Sequence, residues 1–139
     1  MRVAISGYFD PVHRGHIEYF KLAKELTGKN GKLIVILNND KQAELKKGKA
    51  FMPLEDRKAV LEAIKYIDEV FVSIDNDKTV CKSIEALNPK PDIFAKGGDR
   101  FIGEVPETEI CRKLGIKMVD GLGDKIQSSS SIIKASQEK

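Results

Sequence analysis

The chain has 139 residues, 41% of them hydrophobic and 32% charged, a composition typical of one folded domain and not of a disordered chain. Its 24 basic and 21 acidic residues give a net charge of +3, too small for a dedicated nucleic-acid-binding domain, so we predict no nucleic-acid partner. The longest apolar run, Leu33 to Leu37, is too short to cross a bilayer, and no signal-peptide pattern is present. We therefore expect a cytoplasmic protein without a membrane partner.

Short apolar segments alternate with longer amphipathic segments along the chain. Residues 3–5 predict a first strand, 15–27 a helix, and 33–37 a strand that is apolar on both faces. A basic segment over 41–52 has no clear period. Further helices are predicted around 60–64, 80–87 and 106–114, with strands over 70–72, 93–95 and 116–119 and a short helix at the C-terminus. This alternation predicts one α/β domain over 1–139, a three-layer sandwich around a five-stranded parallel sheet.

Ligands of open parallel sheets bind beyond the carboxyl ends of the strands, and the first loop at that edge has unusual residues. It reads Gly7-Tyr8-Phe9-Asp10-Pro11-Val12-His13-Arg14-Gly15-His16. We expect His13 and His16 to lie on one face of the first turn of a helix, where free N–H groups can bind an anion. Imidazole N–H groups there would stabilise charge on a phosphoryl group, and Gly15 would let a nucleotide approach the backbone.

This loop resembles the HxGH signature of the nucleotidylyltransferase superfamily. The resemblance implies a Rossmann-like fold and transfer of NMP from ATP or CTP to a phosphorylated small molecule, with release of pyrophosphate. It also implies Mg²⁺ bound mainly through the triphosphate, and a homodimer. Tyr8 departs from the pattern, which usually has Thr or Ser at that position. A non-catalytic nucleotide-binding module therefore stays open as an alternative of another class.

The resemblance also implies the roles of the site residues. His13, His16 and Lys46 are the predicted catalytic residues, and Asp10, Lys46 and Lys49 the predicted acceptor-binding residues. The predicted nucleotide-binding residues are Gly7, Tyr8, Phe9, Gly15, Lys96, Gly97, Gly98, Asp99, Ser128, Ser129 and Ser130. Two of these assignments have simpler alternatives, since serines commonly cap helices and a run of lysines is commonly a solvated surface. We predict no metal ion bound by the protein itself, because no carboxylate or thiol recurs near the histidines at ligand spacing.

The choice of nucleotide and acceptor rests on two segments. Residues 88–99, with Pro91-Asp92 before an apolar strand and Lys96-Gly97-Gly98-Asp99 after it, are similar to sugar-phosphate adenylyltransferases of the heptose 1-phosphate type. They favour ATP and a sugar phosphate. The segment from Lys46 to Arg57 is comparably similar to CTP:glycerol-3-phosphate cytidylyltransferases, which remain the alternative. Arg57 resembles the arginine that this family has on its helix, and pairing with acids of its own helix is its simpler role.

Overall fold

A computed structural model describes residues 1–48, 51–97 and 106–122, with the backbone alone at 46, 47, 97 and 120–122. In these ranges strands and helices alternate along the chain. The strands are β1 (Arg2–Gly7), β2 (Lys32–Leu37), β3 (Glu69–Val72), β4 (Ile93–Gly97) and β5 (Lys117–Leu122). The helices are α1 (Arg14–Leu26), α2 (Asp40–Lys47), α3 (Leu54–Glu62), α4 (Cys81–Ala86) and α5 (Glu107–Leu114). The C-terminal helix predicted from the sequence lies outside the described residues.

The described strands form one parallel sheet in the order β3-β2-β1-β4-β5. Alternate residues of each strand face opposite sides, so the sheet carries a core on both faces. One core includes Val3 and Ile5 of β1 with Phe20 of α1 and Leu61 of α3. The other core packs β1, β2 and β4 against α4 and α5. The predicted fold class, a Rossmann-like α/β domain with a five-stranded parallel sheet, is therefore confirmed.

Helix α2 occupies part of the basic segment for which the sequence pattern predicted no element. Its apolar stripe is weak, and a reciprocal capping box marks its start. The Asn39 side chain accepts from the Gln42 N–H at 2.9 Å, and the Gln42 side chain accepts from the Asn39 N–H at 3.0 Å. Gln42 is fully buried and also donates to the carbonyls of Asp77 and Thr79. Polar bonds therefore hold this helix in place, and hydrophobic periodicity does not reveal such bonds.

The strand order places the candidate site. The chain leaves β1 towards β2 and β3 and then returns to the other side of β1 as β4, so the direction of winding reverses between β1 and β4. The loops that follow these two strands flank the crevice in which ligands of such sheets bind. Among the described residues no helix is long and apolar enough to cross a membrane.

Candidate active site

Two histidines form the start of α1. His13 is the N-cap residue, and its Nδ1 accepts from the Gly15 N–H at 3.1 Å. The His16 Nδ1 accepts in turn from the His13 N–H at 3.1 Å. The two rings stack with their centroids 3.9 Å apart and their planes at 28°. The capping box therefore fixes both imidazoles side by side at the carboxyl edge of the sheet.

The hydrogen bonds also assign the tautomers of the two rings. A ring nitrogen that accepts a bond carries no proton, so each neutral imidazole carries its proton on Nε2. Burial, and secondarily the nearby His13, lower the pKa of His16 to about 4. His16 is thus neutral near pH 7 and presents Nε2–H as a donor. The ring nitrogens already bind the N–H groups of His13 and Gly15, so two of the backbone donors expected to be free are satisfied internally.

Phe9 supports this histidine pair from the core side. It is buried, and its ring packs edge-on against His16 at 5.0 Å and against Phe20 at 5.1 Å between centroids. Its φ of 47° places the loop in the left-handed region, which a non-glycine residue seldom adopts. A Cβ at Gly7 would lie 2.6 Å from the Phe9 ring, so the absence of a side chain there makes room for the ring. Both residues shape the loop, and a nucleotide contact by either stays a prediction.

Asp10 joins the histidine loop to the segment before α3. Its carboxylate accepts from the Phe51 N–H and from the Met52 N–H, each at 2.7 Å. The acceptor contact predicted for Asp10 stays a prediction, because in this structure the carboxylate binds the backbone. Sequence reasoning found this residue and missed these partners, which lie 41 and 42 positions away.

Arg57 is the largest fully buried side chain of the described residues, and it connects four segments. Its guanidinium donates to the carbonyls of Met52, Asn38 and Tyr8 at 3.0, 2.7 and 3.1 Å. It also donates to the Asp40 carboxylate at 2.6 Å. The pairing with acids of its own helix that the sequence suggested is therefore wrong, since the acid is on α2. Arg57 thus joins the loop after β1 to the segment after β2, and we expect it to position these two segments.

The other predicted site residues are only partly described. The Tyr8 carbonyl binds Arg57, and burial raises the pKa of the Tyr8 hydroxyl. Gly97 ends β4. Lys96, also on β4, has its Nζ 5.5 Å from the centroid of the Phe94 ring. Lys46 belongs to α2, with only its backbone described. The remaining predicted site residues, which are Lys49, Gly98, Asp99, Ser128, Ser129 and Ser130, lie outside the described residues.

No cluster of three or more His, Cys, Asp or Glu side chains that could hold a metal occurs in the described ranges. These ranges include both histidines, so the described part of the site does not fit a metal ion held by the protein. What it does offer is a pair of fixed imidazole donors beside a loop that several distant segments anchor.

Comparisons with known proteins identify the family. The model of the cytidylyltransferase-like family matches residues 4–136. The chain belongs to this family. It is 37% identical over 119 residues to a FAD synthase of Pyrococcus abyssi, a match that covers 85% of this chain and 76% of that one. A FAD synthase of Methanothermus fervidus is 36% identical, with 83% of this chain and 74% of that one covered.

Two further similarities concern proteins with other names. The Bifunctional protein HldE of Alcanivorax borkumensis is 33% identical over 99% of this chain, which matches 28% of that longer protein. Among solved structures, the lipopolysaccharide core biosynthesis protein from Thermoplasma volcanium superposes with a TM-score of 0.69 at 29% identity. That match covers 86% of this chain and 94% of the other. The predicted superfamily is thus confirmed, and the protein is a nucleotidyltransferase.

Proposed function

We propose that this enzyme transfers AMP from ATP to the phosphate of flavin mononucleotide, forming FAD and releasing pyrophosphate. The proposed acceptor is based on the similarity to several FAD synthases, at 36–37% identity over more than four fifths of the chain. The observation that supports the reaction type is the fixed pair of imidazoles, each with its Nδ1 occupied.

The proposed reaction needs alignment and charge stabilisation more than acid–base chemistry. A phosphate oxygen of the acceptor attacks the α-phosphorus of ATP, and the bond from that phosphorus to the pyrophosphate oxygen breaks. The acceptor oxygen is already an anion, so no proton has to be removed. The Nε2–H groups of His13 and His16 donate to the α-phosphate oxygens, where negative charge grows in the transition state.

The remaining roles come from the family resemblance and complete the proposal. Lys46, with Lys49, binds the acceptor phosphate, and residues 128–130 bind the leaving pyrophosphate. Residues 96–99 receive the nucleoside. Mg²⁺, which nucleotidyltransferases of this kind generally use, would be bound through the oxygens of the triphosphate. One domain over 1–139 and a homodimer stay predictions, and sedimentation analysis would test the homodimer.

A sugar phosphate is the second candidate acceptor, as the sequence favoured. Its support is the similarity to HldE across almost the whole chain and to the lipopolysaccharide core biosynthesis protein. Both candidates use ATP and the same histidine pair, so they differ only in the group that the acceptor phosphate carries. The acceptor site, and not the nucleotide site, must therefore distinguish them.

The test is pyrophosphate release with ATP or CTP and a panel of acceptors. The panel contains flavin mononucleotide, heptose 1-phosphate, other sugar 1-phosphates and glycerol 3-phosphate. We expect turnover with ATP and flavin mononucleotide, and a loss of roughly 10²- to 10³-fold in kcat for His16→Ala, the effect typical of removing one preorganised donor. Lys21→Ala, an exposed change on the same helix, is the matched control.

Each outcome separates the candidates. If only a sugar 1-phosphate supports turnover, the acceptor is that sugar phosphate and not flavin mononucleotide. If only CTP supports turnover, the nucleotide is CTP and not ATP. Binding of ATP without turnover on any acceptor, and unchanged by His16→Ala, would favour the non-catalytic nucleotide-binding module.

A further inference from the structure

Two large hydrophobic side chains are exposed in the segment between β2 and α3. Leu45 on α2 is 48% exposed, and Phe51 after α2 is 74% exposed, the highest value among the exposed large hydrophobics of the described residues. A single exposed apolar side chain is ordinary on a protein surface and by itself indicates nothing. Phe51 differs because the candidate active site fixes its backbone.

The backbone at Phe51 is anchored from two directions. Its own N–H and that of Met52 donate to the Asp10 carboxylate, both at 2.7 Å. The Met52 carbonyl accepts from the Arg57 Nε at 3.0 Å. The exposed ring is therefore carried on a backbone that the histidine loop and a buried guanidinium hold in place. An aromatic ring on a fixed backbone loses little conformational freedom when a ligand packs on it.

The same contacts place the Phe51 backbone beside the histidine loop. Asp10 precedes His13 by three residues, and three residues span at most ~10 Å even when fully extended. The sequence of this segment is also rich in basic residues, which are Lys41, Lys46, Lys47 and Lys49. This segment thus offers positive charge to the phosphate of an acceptor. It also offers an exposed ring on which an apolar planar group of the acceptor can pack.

We infer that Phe51 determines acceptor specificity by stacking on a planar aromatic group of the acceptor, the isoalloxazine ring of flavin mononucleotide. The inference rests on the proposed function and names the side chain that would select the acceptor. A sugar phosphate has no aromatic face, so the exposed ring cannot form an aromatic pair with it. Phe51 would then contribute to acceptor binding and leave ATP binding unchanged.

The first test is a kinetic comparison of Phe51→Ala, Phe51→Tyr and wild type. Loss of one aromatic stacking contact weakens binding by roughly 5- to 150-fold, so we expect KM for flavin mononucleotide to rise within that range in Phe51→Ala. KM for ATP should change less than about twofold, and Phe51→Tyr should behave as wild type because it keeps the ring. Val60→Ala removes another exposed apolar side chain, on α3, and is the matched control.

The second test is spectroscopic and does not depend on turnover. The chain contains no tryptophan, so Phe51→Trp introduces a single indole. Stacking on an isoalloxazine should strongly quench its fluorescence when flavin mononucleotide is added. Addition of glucose 1-phosphate should leave it unchanged.

The outcomes distinguish the inference from the proposed function. If wild type makes FAD but Phe51→Ala keeps the wild-type KM and the introduced indole is not quenched, the inference is wrong and the proposed function stands. If wild type does not use flavin mononucleotide at all, both are wrong. An equal rise of KM for ATP and for the acceptor would show a general disturbance of the site and would also overturn the specificity role.

Discussion

Replacement of Arg57 by methionine tests whether the buried guanidinium holds the site together. The change keeps a long side chain in the core and removes every donor. The carbonyls of Tyr8, Asn38 and Met52 lose this partner, and the Asp40 carboxylate loses its cation. All of these groups belong to segments that border the candidate active site.

The magnitude depends on which of these groups water can reach. The Asp40 side chain is 47% exposed, so its carboxylate can be rehydrated and its share of the loss is small. Asn38 is buried, and a buried polar group without its partner costs about 1–3 kcal/mol. The part-buried carbonyls of Tyr8 and Met52 add smaller amounts. We expect the free energy of unfolding to fall by roughly 2–4 kcal/mol in total, most of it from the carbonyls that lose their donor.

Urea denaturation followed by circular dichroism measures this loss, and kcat/KM measured well below the unfolding transition reports on the site. Lys58→Met is the matched control, because the neighbouring lysine pairs only with Glu62 at 3.8 Å among the described contacts and is 43% exposed. We expect the control to change stability by about 0.5 kcal/mol or less. Arg57→Lys should lie between Arg57→Met and wild type, because one ammonium cannot reach all four acceptors.

A stability of Arg57→Met within about 1 kcal/mol of wild type would refute the reasoning, since it would mean that the carbonyls find other donors at little cost. If the free energy of unfolding falls as expected but kcat/KM stays at the wild-type value, Arg57 stabilises the fold and does not position the site.

Two further predictions concern single residues. In the ligand-free protein the His16 ring should titrate near pH 4, because burial disfavours its cation. Its NMR resonances should therefore stay constant from about pH 7 to about pH 5.5. A titration midpoint near the ordinary 6.5 would contradict this prediction. His16 therefore contributes stability that is complete above its unfolded pKa and is lost as the pH falls towards 4. Gly31→Ala should cost about 3 kcal/mol, because the new Cβ would lie 2.6 Å from the Met1 carbonyl and against the Thr27 backbone. Gly28→Ala meets no atom and costs only about 1 kcal/mol for its positive φ, so thermal unfolding should rank the two in that order.

Local sequence patterns were sufficient for most of the fold. The apolar runs of β1 and β2 and the helical period of residues 15–27 each report on burial within one element, and the structure has those elements within one or two residues. The sequence pattern did not predict helix α2. Its start is marked by the capping box of Asn39 and Gln42, a pair that is weak evidence for a helix in a segment rich in lysine.

The histidine loop was also readable, because its order along the chain places both imidazoles on one turn of a helix. What the spacing did not reveal was that the ring nitrogens would take up backbone N–H groups otherwise free to bind phosphate.

The sequence by itself thus determined the alternation of elements and the position of the histidine pair, since each follows from patterns within one segment. The parallel sheet follows from that alternation, because helices between successive strands favour parallel pairing. Only the tertiary structure decided the partners of Asp10 and Arg57. Apart from the Arg57–Met52 bond, those contacts join residues 17 to 49 positions apart, and they exist because the order of strands brings the loop after β1 beside the segment after β2. A buried charge is satisfied by whichever polar groups the fold brings around it, and no local pattern specifies them.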